Sequence, residues 1–236
     1  MQVKLALFCA FVAAGIFGQT QAQSTVTERH STKQFNIKSF DRIDVANAID
    51  VEVRKGPFDV VADVAPGESE YLSIKSDNGV LVARFNRPSG WMPGKNRKSP
   101  RLLITMPTLR GITLAGASDG DVNDAFNSEE LDITLSGAAD LKMTDITANR
   151  IRLKASGASD TRLKGRVRLL DVEISGASDL QAFDLTAEEA IIRASGASDA
   201  SVTVTKKLEK NTRGGADVSH RGNPQTLISN QKKSDD

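Results

Sequence analysis

Cysteine is all but missing from this chain. Its one thiol, Cys9, lies inside an N-terminal apolar stretch. The remainder can therefore form no disulfide and no thiolate metal site, and it has no cysteine nucleophile. Histidine is nearly as scarce. His30 and His220 stand far apart, without partners at metal-ligand spacing and without a Ser/His/Asp set. Each reads as a surface residue. Aromatics are 5% of the chain, so a core must be aliphatic. No phosphate-cradling Gly-x-x-x-x-Gly-Lys loop and no dinucleotide fingerprint occurs, and no cofactor is expected.

Net charge is also lacking. The chain has 31 Lys and Arg against 30 Asp and Glu. Residues 1–22 carry only Lys4, so without them the balance is 30 against 30. Nothing in this favours nucleic acid or an anionic membrane as partner. Long apolar runs are confined to Leu5–Phe17, which follows Lys4 and precedes Thr20-Gln21-Ala22. A basic start, a short apolar segment and small residues at its end predict a cleavable signal peptide over residues 1–22. Thirteen residues are too few to cross roughly 30 Å of hydrocarbon. No membrane span is expected after its removal. Export is the expectation, to the periplasm, the outer-membrane surface or the medium. A thiol-free exported chain fits a bacterial envelope.

What is present is repetition. Gly116-Ala117-Ser118-Asp119 recurs as Gly137-Ala138-Ala139-Asp140, Gly157-Ala158-Ser159-Asp160, Gly176-Ala177-Ser178-Asp179 and Gly196-Ala197-Ser198-Asp199. The spacings are 21, 20, 19 and 20 residues. Gly215-Ala216-Asp217 reads as a weaker copy. Asn47-Ala48-Ile49-Asp50 reads as an early copy, with Asn in place of Gly as the next residue most tolerant of a left-handed backbone.

The flanks alternate with period two. Ile133 and Leu135, Val172 and Ile174, and Ile192 and Ala194 precede the phrase; Leu141 and Met143, Leu180 and Ala182, and Ala200 and Val202 follow it. Polar residues sit between them. Each repeat is then strand, bend, strand and a variable polar connection, with no room for an ordinary helix. Such units stack about 4.8 Å apart. The predicted fold is all-β: a right-handed parallel β-helix or β-solenoid of about 20-residue turns, spanning residues 38–222. A polar leader occupies 23–37 and a polar, fraying tail 223–236.

Between the first two copies lie 65 residues without the phrase. Asp77-Asn78-Gly79 between two strand-like runs signals a hairpin, so an antiparallel excursion over about 54–107 is expected to cap or flank the first turns. Within it, Arg87–Arg101 is rich in Pro, Gly and cations. Trp91, Lys95, Arg97 and Lys98 make it a candidate contact loop for an acidic partner or a glycan; the alternative is a solvated insertion.

The opening Phe40-Asp41-Arg42-Ile43-Asp44-Val45, the Asn47–Asp50 copy, Met106-Pro107-Thr108-Leu109 and the serial Ser-Gly-Ala-Ser-Asp phrases resemble the DUF2807 family, the head domain of autotransporter adhesins common in Bacteroidetes and other Gram-negative bacteria. The resemblance spans roughly residues 38–218. It implies a β-solenoid and an adhesin-like role, and it brings no catalytic residues. No segment resembles a translocation barrel, so self-transport is not expected.

Stacking would align Asp119, Asp140, Asp160, Asp179 and Asp199 in a column of like charge. Either calcium bridges it, or each Asp accepts hydrogen bonds from N–H groups of its own bend. The functional expectation is an exported envelope module, without catalysis, contacting a glycan or another envelope protein. The alternatives are a carbohydrate-active enzyme, with Arg150, Arg152, Arg162, Arg166 and Arg168 holding an acidic sugar, and a calcium-stabilised structural solenoid.

Overall fold

The computed structural model describes residues 31–88, 90 and 99–232. Residues 1–30, His30 among them, and the loop residues Trp91, Lys95, Arg97 and Lys98 lie outside the described residues. What is described is almost wholly strand, with one short 3-10 turn at Ser69–Tyr71.

The strands are β1 (Ser31–Phe35), β2 (Arg42–Ala46), β3 (Asp50–Lys55), β4 (Asp59–Val64), β5 (Leu72–Asp77), β6 (Val80–Phe85), β7 (Arg101–Met106), β8 (Gly111–Gly116) and β9 (Gly120–Val122). Seven more follow: β10 (Phe126–Gly137), β11 (Leu141–Gly157), β12 (Asp160–Gly176), β13 (Asp179–Gly196), β14 (Asp199–Gly214), β15 (Asp217–Arg221) and β16 (Thr226–Lys232). From β10 onward the strands pair parallel and in register, turn upon turn. The chain is a β-solenoid.

Each turn has three sides. The first carries the strand before the bend, where Ile133, Leu153, Val172 and Ile192 form one buried ladder. The second carries the strand after it, with Leu141, Thr161, Leu180 and Ala200 stacked inward. The third is the stretch predicted as a polar connection. It is a strand too, with Ala148, Val167, Ala187 and Val204 buried in file. Only two or three of its residues face inward per turn, too short a run for alternation to reveal. Burying each large aliphatic side chain contributes roughly 1.5–3 kcal/mol.

The excursion does more than cap the stack. β5 and β6 form the expected hairpin through Asn78 (φ 48°) and Gly79 (φ 79°). Yet β6 pairs parallel with β2, and β7 with β3. Together β6 and β7 supply the first and second sides of one level of the solenoid, and β2 and β3 lie between it and β8 and β9. The loop from β6 to β7 leaves and returns at the corner where every other level bends. Antiparallel β4 and β1 extend the second side beyond β7. The leader thus contributes a strand, β1. The tail contributes another, since β16 pairs parallel with Lys207–Arg213 of β14.

At the bends Gly116, Gly137, Gly157, Gly176 and Gly196 have φ between 81° and 93°. A Cβ on Gly157 would stand 2.4 Å from the Gly137 carbonyl oxygen. Gly157→Val is therefore expected to cost at least about 1–3 kcal/mol through backbone strain alone. Gly165, which the repeat does not single out, is tighter: φ is 137° and a Cβ would lie 2.0 Å from the Ile146 oxygen. Thermal unfolding should show Gly165→Ala to be at least as damaging as Gly157→Val. Melting curves like the wild type would mean that neither glycine serves its backbone.

Candidate functional site

The bend separates two polar columns. Ser118, Ser159, Ser178 and Ser198 point inward and are 0% exposed. Each hydroxyl donates to the carbonyl three residues earlier: Ala115, Ser156, Ser175 and Ser195, at 2.9–3.3 Å. The Ser159 and Ser178 hydroxyls are also 3.2 Å apart. A shift of one residue at the last copy explains its weakness: Gly214 carries the left-handed backbone, Gly215 takes the Ala place and buried Ala216 the Ser place.

The aspartate side chains bond chiefly to the neighbouring level rather than to N–H groups of their own bends, one of the two arrangements the repeat allows. Among the described residues the column's carboxylates accept mainly across levels: Asp140 Oδ1 from the Asp160 N–H (3.3 Å), Asp50 from the Asp119 backbone and Asp119 from the Asp140 backbone, while Asp217 Oδ2 accepts from the Ser219 hydroxyl (3.2 Å). The physical reason lies in the alternation. The residue before Asp faces the core and must satisfy its polar atom there. Asp faces outward and has water.

Register aligns Arg101, Asp50, Asp119, Asp140, Asp160, Asp179, Asp199 and Asp217 on successive levels. Asp50, Asp119, Asp140, Arg101, Lys142 and Arg162 share a cleft of about 310 Å³. Burial, then the Asp119 charge, raises the Asp50 carboxyl above its ordinary range, against the pull of Arg101. Burial, then Asp140, raises Asp119. Asp132, on the first side, behaves oppositely. Burial pushes it up, but hydrogen bonds from Arg42 and Arg152 outweigh that and hold it low. Among the described residues no three His, Asp or Glu groups converge as a metal site would require.

The second side also carries a groove of about 650 Å³ over Lys142, Thr144, Arg162, Lys164, Gln181, Phe183, Asp184, Ser201 and Arg221. A bulge builds it. Ala182 pairs with Val202 and the next pair is Thr186 with Thr203, so residues 183–185 of β13 have no counterparts in β14. Such a bulge re-aims side chains out of the sheet. Phe183 stands half-buried there, with the Arg221 guanidinium 3.9 Å from its ring centroid. Arg162 donates to Gln181 (3.0 Å). One single-residue mismatch between β11 and β12 and another between β12 and β13 continue the depression around the corner past Asp145, Arg166 and Thr186.

The five arginines grouped in sequence are dispersed over the solenoid. Arg152 lies on the first side against Glu130 and Asp132, and Arg162 on the second. Arg166 lies on the third; Arg150 and Arg168 lie where the third meets the first, Arg168 donating to Asn149 (2.6 Å). They cannot hold one sugar together. His220 is half-buried in the register of core residue Val202 rather than on an outer face. Phe183 and the groove were not legible in the repeat, because a bulge is defined only by the neighbouring strand.

Residues 39–224 match the model of one family, described as "putative auto-transporter adhesin, head GIN domain". The chain belongs to this family, DUF2807. Among solved structures, a "putative adhesin" from Bacteroides fragilis is similar at 18% identity and a TM-score of 0.80, over 88% of this chain and 95% of that one. A "putative adhesin" from Parabacteroides distasonis gives 18%, 0.67, 88% and 97%. A "putative lipid binding protein" from the same species gives 15%, 0.61, 88% and 96%. At these identities the likeness is one of fold. No curated protein matches the chain.

Two measurements test the electrostatics of this face. A carboxyl raised by folding binds its proton more tightly in the native state. Stability therefore falls as pH rises from the ordinary value, near 3.8, through the raised one. Asp119→Asn should raise the melting temperature at pH 7 and leave it unchanged at pH 3. Asp132→Asn should lower it at pH 7, since the depressed carboxyl contributes stability that is lost only as pH falls through its native value. Separately, calcium and excess EGTA should give superimposable melting curves; a calcium-dependent rise would make the Asp column a metal site.

Proposed function

We propose that this chain is an exported, adhesin-like binding module that recognises a glycan through the groove on its second side. The observation that carries the reading is the groove itself. It is open, it presents amide, hydroxyl and cationic side chains, and a bulge lifts one aromatic ring beside them. Pockets with a few convergent polar groups beside an apolar surface suit sugars, which offer hydroxyls on their edges and C–H faces. Family membership and the leader sequence support an envelope location.

Recognition without turnover is the reading the acids favour. Glycoside hydrolysis needs two carboxyls in opposite protonation states. Asp50 and Asp119 are shifted in the same direction, each by burial and a like neighbour.

The test is a glycan array probed with the mature chain, followed by reducing-end assay on whatever binds. Binding that weakens about tenfold in Phe183→Ala, the scale of a lost ring contact, with no new reducing ends, is the expected result. New reducing ends would make the chain an enzyme. Capture of an envelope protein with an empty array would transfer the role to protein contact.

A further inference from the structure

Cations are treated differently on the two sides of the bend. On the first side they are neutralised across β2, β6, β10, β11 and β13, whereas Lys75 of β5 and Lys207, Lys210 and Arg213 of β14 make no ion pair among the described residues. Arg42 reaches Asp132 (2.9 Å) across the level of Gly111, Arg84 meets Asp44 (2.7 Å), and Arg152 meets Glu130 and Asp132 (3.3 Å). Lys154 meets Glu173 (3.8 Å) and Arg193 meets Asp171 (2.9 Å). Gly111 makes the first of these possible, because a Cβ there would stand 3.0 Å from the Arg42 guanidinium.

On the second side the pattern changes at Lys142. Above it Glu52 holds both Arg54 and Arg101. From Lys142 onward, Lys142, Arg162, Lys164 and Arg221 line one groove, and none of them makes an ion pair among the described residues. Lys142 and Arg162 are register partners on adjacent levels, so their charges repel along the stack. One carboxylate, Asp184, shares the groove and bonds none of them.

We infer that this groove binds an acidic polysaccharide lying along the solenoid axis. Its carboxylate or sulfate groups meet Lys142, Arg162, Lys164 and Arg221, and a sugar face packs beside Phe183. The inference rests on the glycan reading above and adds the charge class of the ligand. Levels repeat about every 4.8 Å, comparable with one pyranose unit. A chain running along the stack therefore meets a cation on more than one level.

The Asp column borders the same cations, since Lys142 and Arg162 also line the cleft of Asp50, Asp119 and Asp140. Like-charge repulsion from that column confines a polyanion to the groove side of the row and rejects misplaced binding. An anionic bilayer suits the site less well. Among the described residues the exposed large apolar side chains are Leu227 and Ile228, on β16 and outside the groove lining. Among the described residues, no exposed large apolar side chain stands beside the groove to enter hydrocarbon.

The experiment titrates the mature chain, at low and at physiological salt, with polygalacturonate, alginate and a heparin-type sulfated glycan. Methyl-esterified polygalacturonate provides the same backbone without charge, and phosphatidylglycerol vesicles provide charge without sugar. At least one of the three acidic glycans should bind and weaken with salt. For polygalacturonate, the esterified form should bind at least tenfold less tightly. Lys142→Gln/Lys164→Gln should weaken binding about tenfold or more, one charged hydrogen bond being worth that much. Both lysines are exposed and outside any described bond, so the melting temperature should not move. Lys154→Gln on the first side should bind as wild type.

Failure of all three acidic glycans, equal binding to the esterified chain, or equal loss in Lys154→Gln would overturn the inference. So would vesicle binding as tight as any glycan. Array binding to neutral sugars alone would overturn the charge class and leave the glycan reading standing. An array empty of both neutral and acidic sugars would remove both.

Discussion

Everything in this protein follows from one bend resting on the next. The Ala N–H of each bend donates to the Gly carbonyl of the bend before it: Ala138 to Gly116, Ala158 to Gly137, Ala177 to Gly157 and Ala197 to Gly176, at 2.7–2.8 Å. That contact fixes the distance between levels at the corner. It also closes off the space where a side chain would go, since a Cβ on Gly137, Gly157, Gly176 or Gly196 would lie 2.4–2.7 Å from the glycine oxygen behind it. Only glycine meets both the left-handed backbone and the close approach. Once the corner repeats, the residues on either side must repeat as well. Inward serine and outward aspartate fall into columns as a consequence.

The columns have opposite physical characters. Serine is buried, and its hydroxyl is satisfied by a carbonyl within its own turn, so each added level carries its own hydrogen bond. Where alanine replaces it, at Ala139 and Ala216, the polar atom is removed together with its requirement, and the core stays closed. Aspartate accepts from the backbone of the next level at Asp50, Asp119 and Asp140, but its side chain faces outward. Its neighbours along the stack share its sign, and burial at Asp50 and Asp119 adds to the repulsion. A residue kept in register against its own electrostatics is better explained by the face it presents than by the fold it supports.

How far the sequence reveals this depends on which partner defines a feature. The Gly corners, the two alternating flanks and the Asn78-Gly79 turn are local, and the chain spells them out. The third side was hidden because its inward residues are few per turn. The interleaving of β2 and β3 between the excursion and β8 and β9 is non-local, and no periodicity in 54–107 encodes which earlier strand receives β6. The groove is the least legible element. Phe183 stands out because β14 lacks three residues that β13 has, and that is a comparison between strands, not a property of either. The arginines show the converse error: neighbours in sequence at 150–168 turn corners and face different ways.

The ends of the stack show the same logic in reverse. Beyond β6 and β7 the chain turns antiparallel, with β5 on the first side and β4 and β1 on the second, so that end offers no continuation of the parallel register. At the other end β14 puts Lys210 and Thr212 in the registers of Ile192 and Ala194, and β15 puts His220 in that of Val202. Lys210 donates to the Val218 carbonyl (3.2 Å), spanning from the first side to the second where an aliphatic side chain stands in earlier turns. β16 still pairs across this stretch, but with Ser229 and Gln231 in the registers of Lys210 and Thr212, so the aliphatic ladder of the first side has already ended. Repetition specifies how each turn is added; departure from it specifies where adding stops.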